Sequence, residues 1–205
     1  MRAFTPLKKI LTWTAMSIMV ITTEGNIPLA LAQEQAMLVK REQVIQQQRA
    51  IAFKEEIRKL KSRHRQEKLL SRQLSCLARN VYYEANGEPM KGQLAVAQVT
   101  VNRANSGKFP RDLCAVVAQS TRVSEDTRVC QFSWYCDPSK NKQRVINKNH
   151  PSYIAARRVL LDGHRVENVG RDVYFFRRHD VQMNPGWPNQ TVAKIGNHIF
   201  YKRQK

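Results

Sequence analysis

No cysteine occurs in the first 75 residues of this 205-residue chain, and between positions 33 and 75 there is neither glycine nor proline. The missing turn-formers leave a stretch of mainly Gln, Glu, Lys, Arg and Ala, a composition that favours an uninterrupted helix. Apolar runs are short as well. The run near the N-terminus, Ile10 to Thr23, has 14 residues, fewer than the roughly 20 that cross a bilayer as a helix. Neither a Cys-x-x-Cys pair nor a His-x3-His pair is present, which argues against a zinc site. Negative charge is thin: 16 acidic side chains stand against 35 Lys and Arg, a net of +19.

What is there begins with a basic front, Arg2, Lys8 and Lys9, then the apolar run, then Ala30-Leu31-Ala32 ahead of Gln33. This is the layout of an export signal over residues 1–32. The alternative is an uncleaved anchor, because Glu24 to Pro28 makes a long approach to the cleavage site. Residues 33–75 carry 11 basic and 5 acidic side chains and read as a basic helical arm. Met37, Val44 and Ile51 recur every seven residues, and Phe53, Ile57 and Leu60 follow at helical spacing. The second heptad position is polar (Lys40, Gln47, Lys54), so a coiled coil is a weak fit. A spacer, an oligomerisation helix, or a basic surface for an anionic membrane or a protein partner are its possible uses; a merely solvated helix is the plain alternative.

Residues 76–205 are expected to form the compact domain and hold all four cysteines, Cys76, Cys114, Cys130 and Cys136. An even count in an exported chain favours two disulfides, with three connectivities open. The surplus of positive charge attracts polyanions. In the periplasm or cell envelope these are anionic lipids and acidic cell-wall peptides rather than nucleic acid. The pattern predicts a helix over 76–85 stopped by Gly87, an almost wholly apolar helix over 92–103, and a short helix from Pro110 through Ala118. An irregular stretch over 119–148, a helix from His150 to Asp162-Gly163, a strand over 173–176 and a closing strand over 196–201 follow. The fold class is α+β and mostly helical, with a small β element and a long N-terminal helix ahead of it.

Chemistry concentrates in Tyr82-Tyr83-Glu84-Ala85-Asn86-Gly87-Glu88-Pro89. Leu77, Val81 and Glu84 fall at i, i+4 and i+7, on a face that is apolar apart from Asn80. A carboxyl pressed against apolar surface has its pKa raised, which suits a general acid working near neutral pH. The plain alternative is that Glu84 caps a turn or meets an arginine.

These residues and others resemble the catalytic domain of the spore cortex-lytic enzymes, the SleB-like cell wall hydrolases. The matching stretches are Leu77 to Ala85, Gly87-Glu88-Pro89, Gly92 to Ala97, Val101-Asn102-Arg103, Cys130 to Ser133, and Ile195 to Tyr201, in the family's order. Residues 33–75 have no counterpart in the family's domain. The resemblance implies a lysozyme-like helical fold, peptidoglycan glycan strands as substrate, and Glu84 as the catalytic residue; no cofactor or metal is expected. It also implies lytic transglycosylase chemistry, in which one carboxyl serves as both acid and base. Ordinary hydrolysis would need a second carboxyl at roughly 5–9 Å, for which Glu88 and Asp137 are the candidates. Glu88 has helix capping as its plainer role.

For substrate binding, aromatic faces and loop amides or hydroxyls single out Tyr83, Gln131, Ser133, Trp134, Asp137, Tyr174, Trp187 and His198. The family often shows a Tyr-His segment where this chain reads Tyr174-Phe175-Phe176-Arg177, and Ser120 to Val129 is longer and more charged than expected. A non-catalytic wall-binding protein on a degenerate enzyme scaffold, and a polyanion-binding protein resting on charge alone, are the rival readings.

Overall fold

Burial along the first helix begins late. In the computed structural model, which describes residues 28–140, 142–182 and 189–203, helix α1 spans Leu29–Ala85. The sequence suggested a fresh start at Cys76. The helix instead runs through it, because no glycine or proline interrupts the chain there. Most of the expected signal lies outside the described residues, and Ala30-Leu31-Ala32 falls in the first turn of α1. The chain divides into two units between Ile57 and Arg58. In the first, Met37, Val44, Ile51 and Phe53 are exposed. In the second, α1 is buried at Leu74, Cys76, Leu77, Ala78, Asn80, Val81 and Ala85.

Helix α2, Met90–Asn105, is buried at every position from Gly92 to Ala104. A helix apolar on all sides has to be central, and α5 and β3 pack against it. Its few polar side chains are occupied. Gln98 accepts the Val166 amide at 2.6 Å and donates to the Val169 carbonyl. Asn102, one turn on, donates to the carbonyls of Gly170 (2.8 Å) and Val173 (3.0 Å). Together they fasten the irregular segment 166–173 to the core, since buried backbone groups without partners are costly.

Helix α3, Leu113–Ala118, is capped by Asp112, whose carboxylate accepts the Ala115 amide at 2.9 Å. It is joined to α1 by the Cys76–Cys114 disulfide and by the Leu113 amide donating to Gln73 at 2.6 Å. The stretch expected to be irregular holds more order than its composition signalled. Strands β1 (Ser120–Arg122) and β2 (Arg128–Cys130) pair as an antiparallel hairpin, and α4 (Ser133–Cys136) follows. The Cys130–Cys136 disulfide spans α4. Helix α5, Pro151–Leu160, opens with Pro151 after His150, whose ring accepts the Ser152 amide at 3.2 Å.

The closing region is a sheet ordered β3-β5-β4, all antiparallel, from β3 (Val173–Arg178), β4 (Asn189–Ile195) and β5 (His198–Arg203). The single closing strand read from the sequence is thus half of a hairpin. Gly196, with φ +57°, reverses the chain through a two-residue turn, the tightest hairpin connection and one that demands a glycine-like conformation. The mostly helical α+β class with a long leading helix stands as read.

Candidate active site

Leu77 and Val81 have no exposed surface, and Glu84 completes their row in the last turn of α1, partly buried. The helix stops there because Gly87 takes φ +92°, and the Asn86 and Glu88 amides turn back onto the Tyr82 and Ala85 carbonyls. Burial pushes the Glu84 carboxyl from 4.5 to about 7, and the positive charge of Arg103 pulls it back only in part. The plain alternative for Glu84, an encounter with an arginine, therefore holds without producing an ordinary ion pair. Desolvation outweighs attraction.

Arg103, in the last turn of α2, is 4% exposed. Burial lowers its pKa to about 10, against the stabilising charge of Glu84. Its Nε donates to the Tyr174 carbonyl at 2.7 Å. Its guanidinium carbon lies 4.8 Å over the Phe132 ring, 5.4 Å from Phe109 and 5.7 Å from Phe175, a cation held by aromatic faces. Sequence reading matched Arg103 to the family but gave it no role. The available signal was a lone cation inside an otherwise apolar helix, which needs a charge partner.

Tyr83 stacks on Trp134 with ring centroids 4.5 Å apart and an interplanar angle of 22°, and its hydroxyl accepts from Arg144 at 3.3 Å. Trp134 was read as a sugar platform. It is 5% exposed, and its indole donates to Asn80 Oδ1 at 2.9 Å, while Asn80 donates to Thr100 Oγ1 at 3.0 Å. Trp134 is therefore the floor beneath Tyr83 rather than a surface of its own. The same correction applies to His198, read as a substrate contact but only 2% exposed. Its ring packs edge-on to Phe176 at 5.3 Å, its Nδ1 lies 3.9 Å from Glu88, and burial lowers its pKa.

Glu88 does not cap α2, which has Pro89 at that position and no side-chain cap. Its carboxylate accepts the Asn197 amide at 3.0 Å instead. Gln131 and Ser133 are exposed on either side of buried Phe132, the ring under Arg103. Tyr174 is partly buried at the irregularity in β3, its ring 5.9 Å from Phe109. Asp137 is turned onto its own loop, accepting from the Ser139 amide (2.8 Å) and hydroxyl (2.7 Å), which hold its carboxyl below the usual range. Trp187 lies outside the described residues. Among the described residues no group of three or more His, Cys, Asp or Glu side chains is placed to hold a metal ion.

Comparison with known proteins decides the family. The model of the family described as Cell Wall Hydrolase matches residues 87–201, more than half of the chain. The chain belongs to the cell wall hydrolase family. Glu84 lies three residues before the matched span. The chain is 30% identical over 125 residues to the spore cortex-lytic enzyme of Bacillus subtilis (strain 168), covering 60% of this chain and 35% of that protein. It is 28% identical over 130 residues to the spore cortex-lytic enzyme of Bacillus cereus (strain ATCC 14579), covering 63% and 44%. The chain thus spans less than half the length of these relatives. Among solved structures, the catalytic domain of the Bacillus cereus SleB protein aligns at 24% identity with a TM-score of 0.49, covering 63% of this chain and 89% of that one. The catalytic domain of the germination-specific lytic transglycosylase SleB from Bacillus anthracis aligns at 27% identity with a TM-score of 0.49, covering 63% and 93%.

Proposed function

We propose that this cell wall hydrolase cleaves peptidoglycan glycan strands between N-acetylmuramic acid and N-acetylglucosamine, as a lytic transglycosylase with Glu84 as its acid and base. The observation that carries this reading is the Glu84 carboxyl raised to about 7 by burial beside Arg103. Near neutrality a substantial fraction is protonated and can donate to the glycosidic oxygen. The carboxylate left behind faces the Arg103 charge, which stabilises it for the return step. It then takes the proton from the muramoyl 6-hydroxyl as that oxygen closes onto the anomeric carbon, giving a 1,6-anhydro end. The two candidate second carboxyls are occupied, Asp137 by Ser139 and Glu88 by Asn197, which favours a one-carboxyl route.

Tyr83 and the exposed Gln131 and Ser133 are the positions we assign to sugar contact. Export to the periplasm or envelope by residues 1–32 belongs to the same reading, as does the division into an arm at 33–75 and a catalytic domain at 76–205. The basic arm is proposed to lie against an anionic surface or a protein partner. No helix among the described residues is long and apolar enough to cross a membrane.

Incubating the full chain with purified peptidoglycan, beside a Glu84→Gln control, tests the chemistry. Products ending in 1,6-anhydromuramic acid, absent with the control, are expected. Reducing ends would show hydrolysis instead, and retention on the wall without products from either protein would leave a binding module.

A further inference from the structure

Around α2 from Arg103, the residue before it opens on a different feature. Asn102, Asn105, Ser106, Arg165, Arg171 and Tyr174 line a cavity of about 480 Å³. Two guanidinium groups face it and no carboxylate lines it. Arg165 is fixed in place, its Nη1 donating to the carbonyls of Val159 (3.0 Å) and His164 (2.7 Å). Arg171 has no hydrogen bond or ion pair among the described residues. The carboxylate nearest it in sequence, Asp172, is engaged by Lys202 at 3.8 Å. A third cation, Lys108, has its Nζ 5.3 Å from the ring centroid of Tyr174, one of the lining residues.

From this we infer that the cavity is a carboxylate-binding site for the acidic stem peptide attached to the glycan strand. The inference rests on the proposed function and extends it to the substrate's peptide. Unpaired arginine beside an anchored one suits a planar carboxylate, which takes paired N–H donors. The amide and hydroxyl side chains of Asn105 and Ser106 add neutral polar groups on the same wall. Asn102, which lines the cavity, precedes Arg103, the charge partner of Glu84, on α2, so the two face about 100° apart around the helix. A peptide of three or four residues extends about 10–14 Å.

The test compares cleavage of intact peptidoglycan with cleavage of glycan strands stripped of peptide by an amidase, using the full chain and its Arg171→Glu variant. Wild type is expected to prefer the intact polymer through a lower KM. Arg171→Glu should cut that preference by about tenfold, the worth of one charge-assisted contact, with stripped-strand cleavage reporting an intact fold. Equal KM values for both substrates, or an unchanged preference in the variant, would overturn the inference. Binding of the free stem tripeptide to the Glu84→Gln chain, followed by NMR, gives a readout independent of cleavage. Saturable binding lost in Glu84→Gln/Arg171→Glu supports the site even if neither polymer is cut, the outcome that would sink the proposed activity. No binding of the tripeptide, or displacement by equimolar inorganic phosphate, would overturn it.

Discussion

The carboxylate of Glu88 holds the backbone amide of Asn197 at 3.0 Å across 109 positions of sequence. One end of that contact is four residues past the catalytic candidate, and the other is the tip of the β4–β5 hairpin. The fit leaves no space: a Cβ on Gly196 would collide with Glu88 Oε2, and one on Gly92 would lie 3.2 Å from Glu88 Cβ.

Glu88→Ala is therefore expected to destabilise the fold by about 1–3 kcal/mol, the cost of stranding a hydrogen-bonded group. Gly196→Ala should cost about 1–2 kcal/mol through its φ of +57°, with the collision against the Glu88 carboxylate adding to it. The double variant should cost less than the sum, because removing the carboxylate removes the obstacle. Urea unfolding of the four proteins measures this, and strict additivity would refute the contact.

As the proposed acid, Glu84 is expected to set the pH dependence of activity. A single acid that must begin protonated and has a pKa of about 7 gives kcat/KM that falls above neutrality. Replacing it by Gln should cost roughly 10²–10⁴ in rate. A pH–rate profile lacking an alkaline limb near 7 would remove Glu84 from the acid role.

The same carboxyl makes the fold pH-sensitive in a defined direction. Unfolded, it ionises near 4.5; folded, near 7. Below 4.5 both states are protonated and nothing is lost. Between the two values the unfolded chain releases its proton first, so stability falls as pH rises and levels off above 7. Glu84→Gln should thus gain on wild type from near zero at pH 4 to about 3 kcal/mol at pH 8, measured by thermal or urea unfolding at each pH.

Arg103 lowers the Glu84 pKa from where burial alone would put it. Arg103→Gln should move the alkaline limb of the rate profile upward, and Arg103→Lys, which keeps the charge, should move it less. Identical limbs in both variants would mean that the arginine acts through packing alone.

The two disulfides should separate stability from activity. Cys76–Cys114 closes a separation of 38 and Cys130–Cys136 one of 6, so loop entropy makes the first worth about 4 kcal/mol and the second about 2.4. Only the second brackets Phe132 and Trp134, which lie under Arg103 and Tyr83. Paired Cys→Ser variants are expected to rank oppositely in melting temperature and in rate.

Much of this architecture could be read before the structure. Glycine and proline mark the ends of α1, α2 and α5, and the apolar saturation of α2 marks the centre. Asn102, matched within Val101-Asn102-Arg103, satisfies the Gly170 and Val173 carbonyls. Illegible features depend on which distant groups meet. Trp134 and His198 looked like exposed binders because the residue type suits sugars, yet each had to be buried on a particular partner, Asn80 or Phe176. The β1–β2 hairpin escaped notice because its strands are three residues long and largely exposed, leaving no alternation to detect. Glu88 was assigned to the nearest helix, since nothing local announces a contact 109 residues away.

The Cys76–Cys114 bond lies eight residues before Glu84 on the same helix, about 12 Å along its axis. A covalent tie at that point acts as strain relief. Tension or torsion entering α1 from its N-terminal side is grounded in α3 two turns before the acid. A pull on α1 upstream of Cys76 is thus borne by α3, and Glu84 keeps its place beside Arg103.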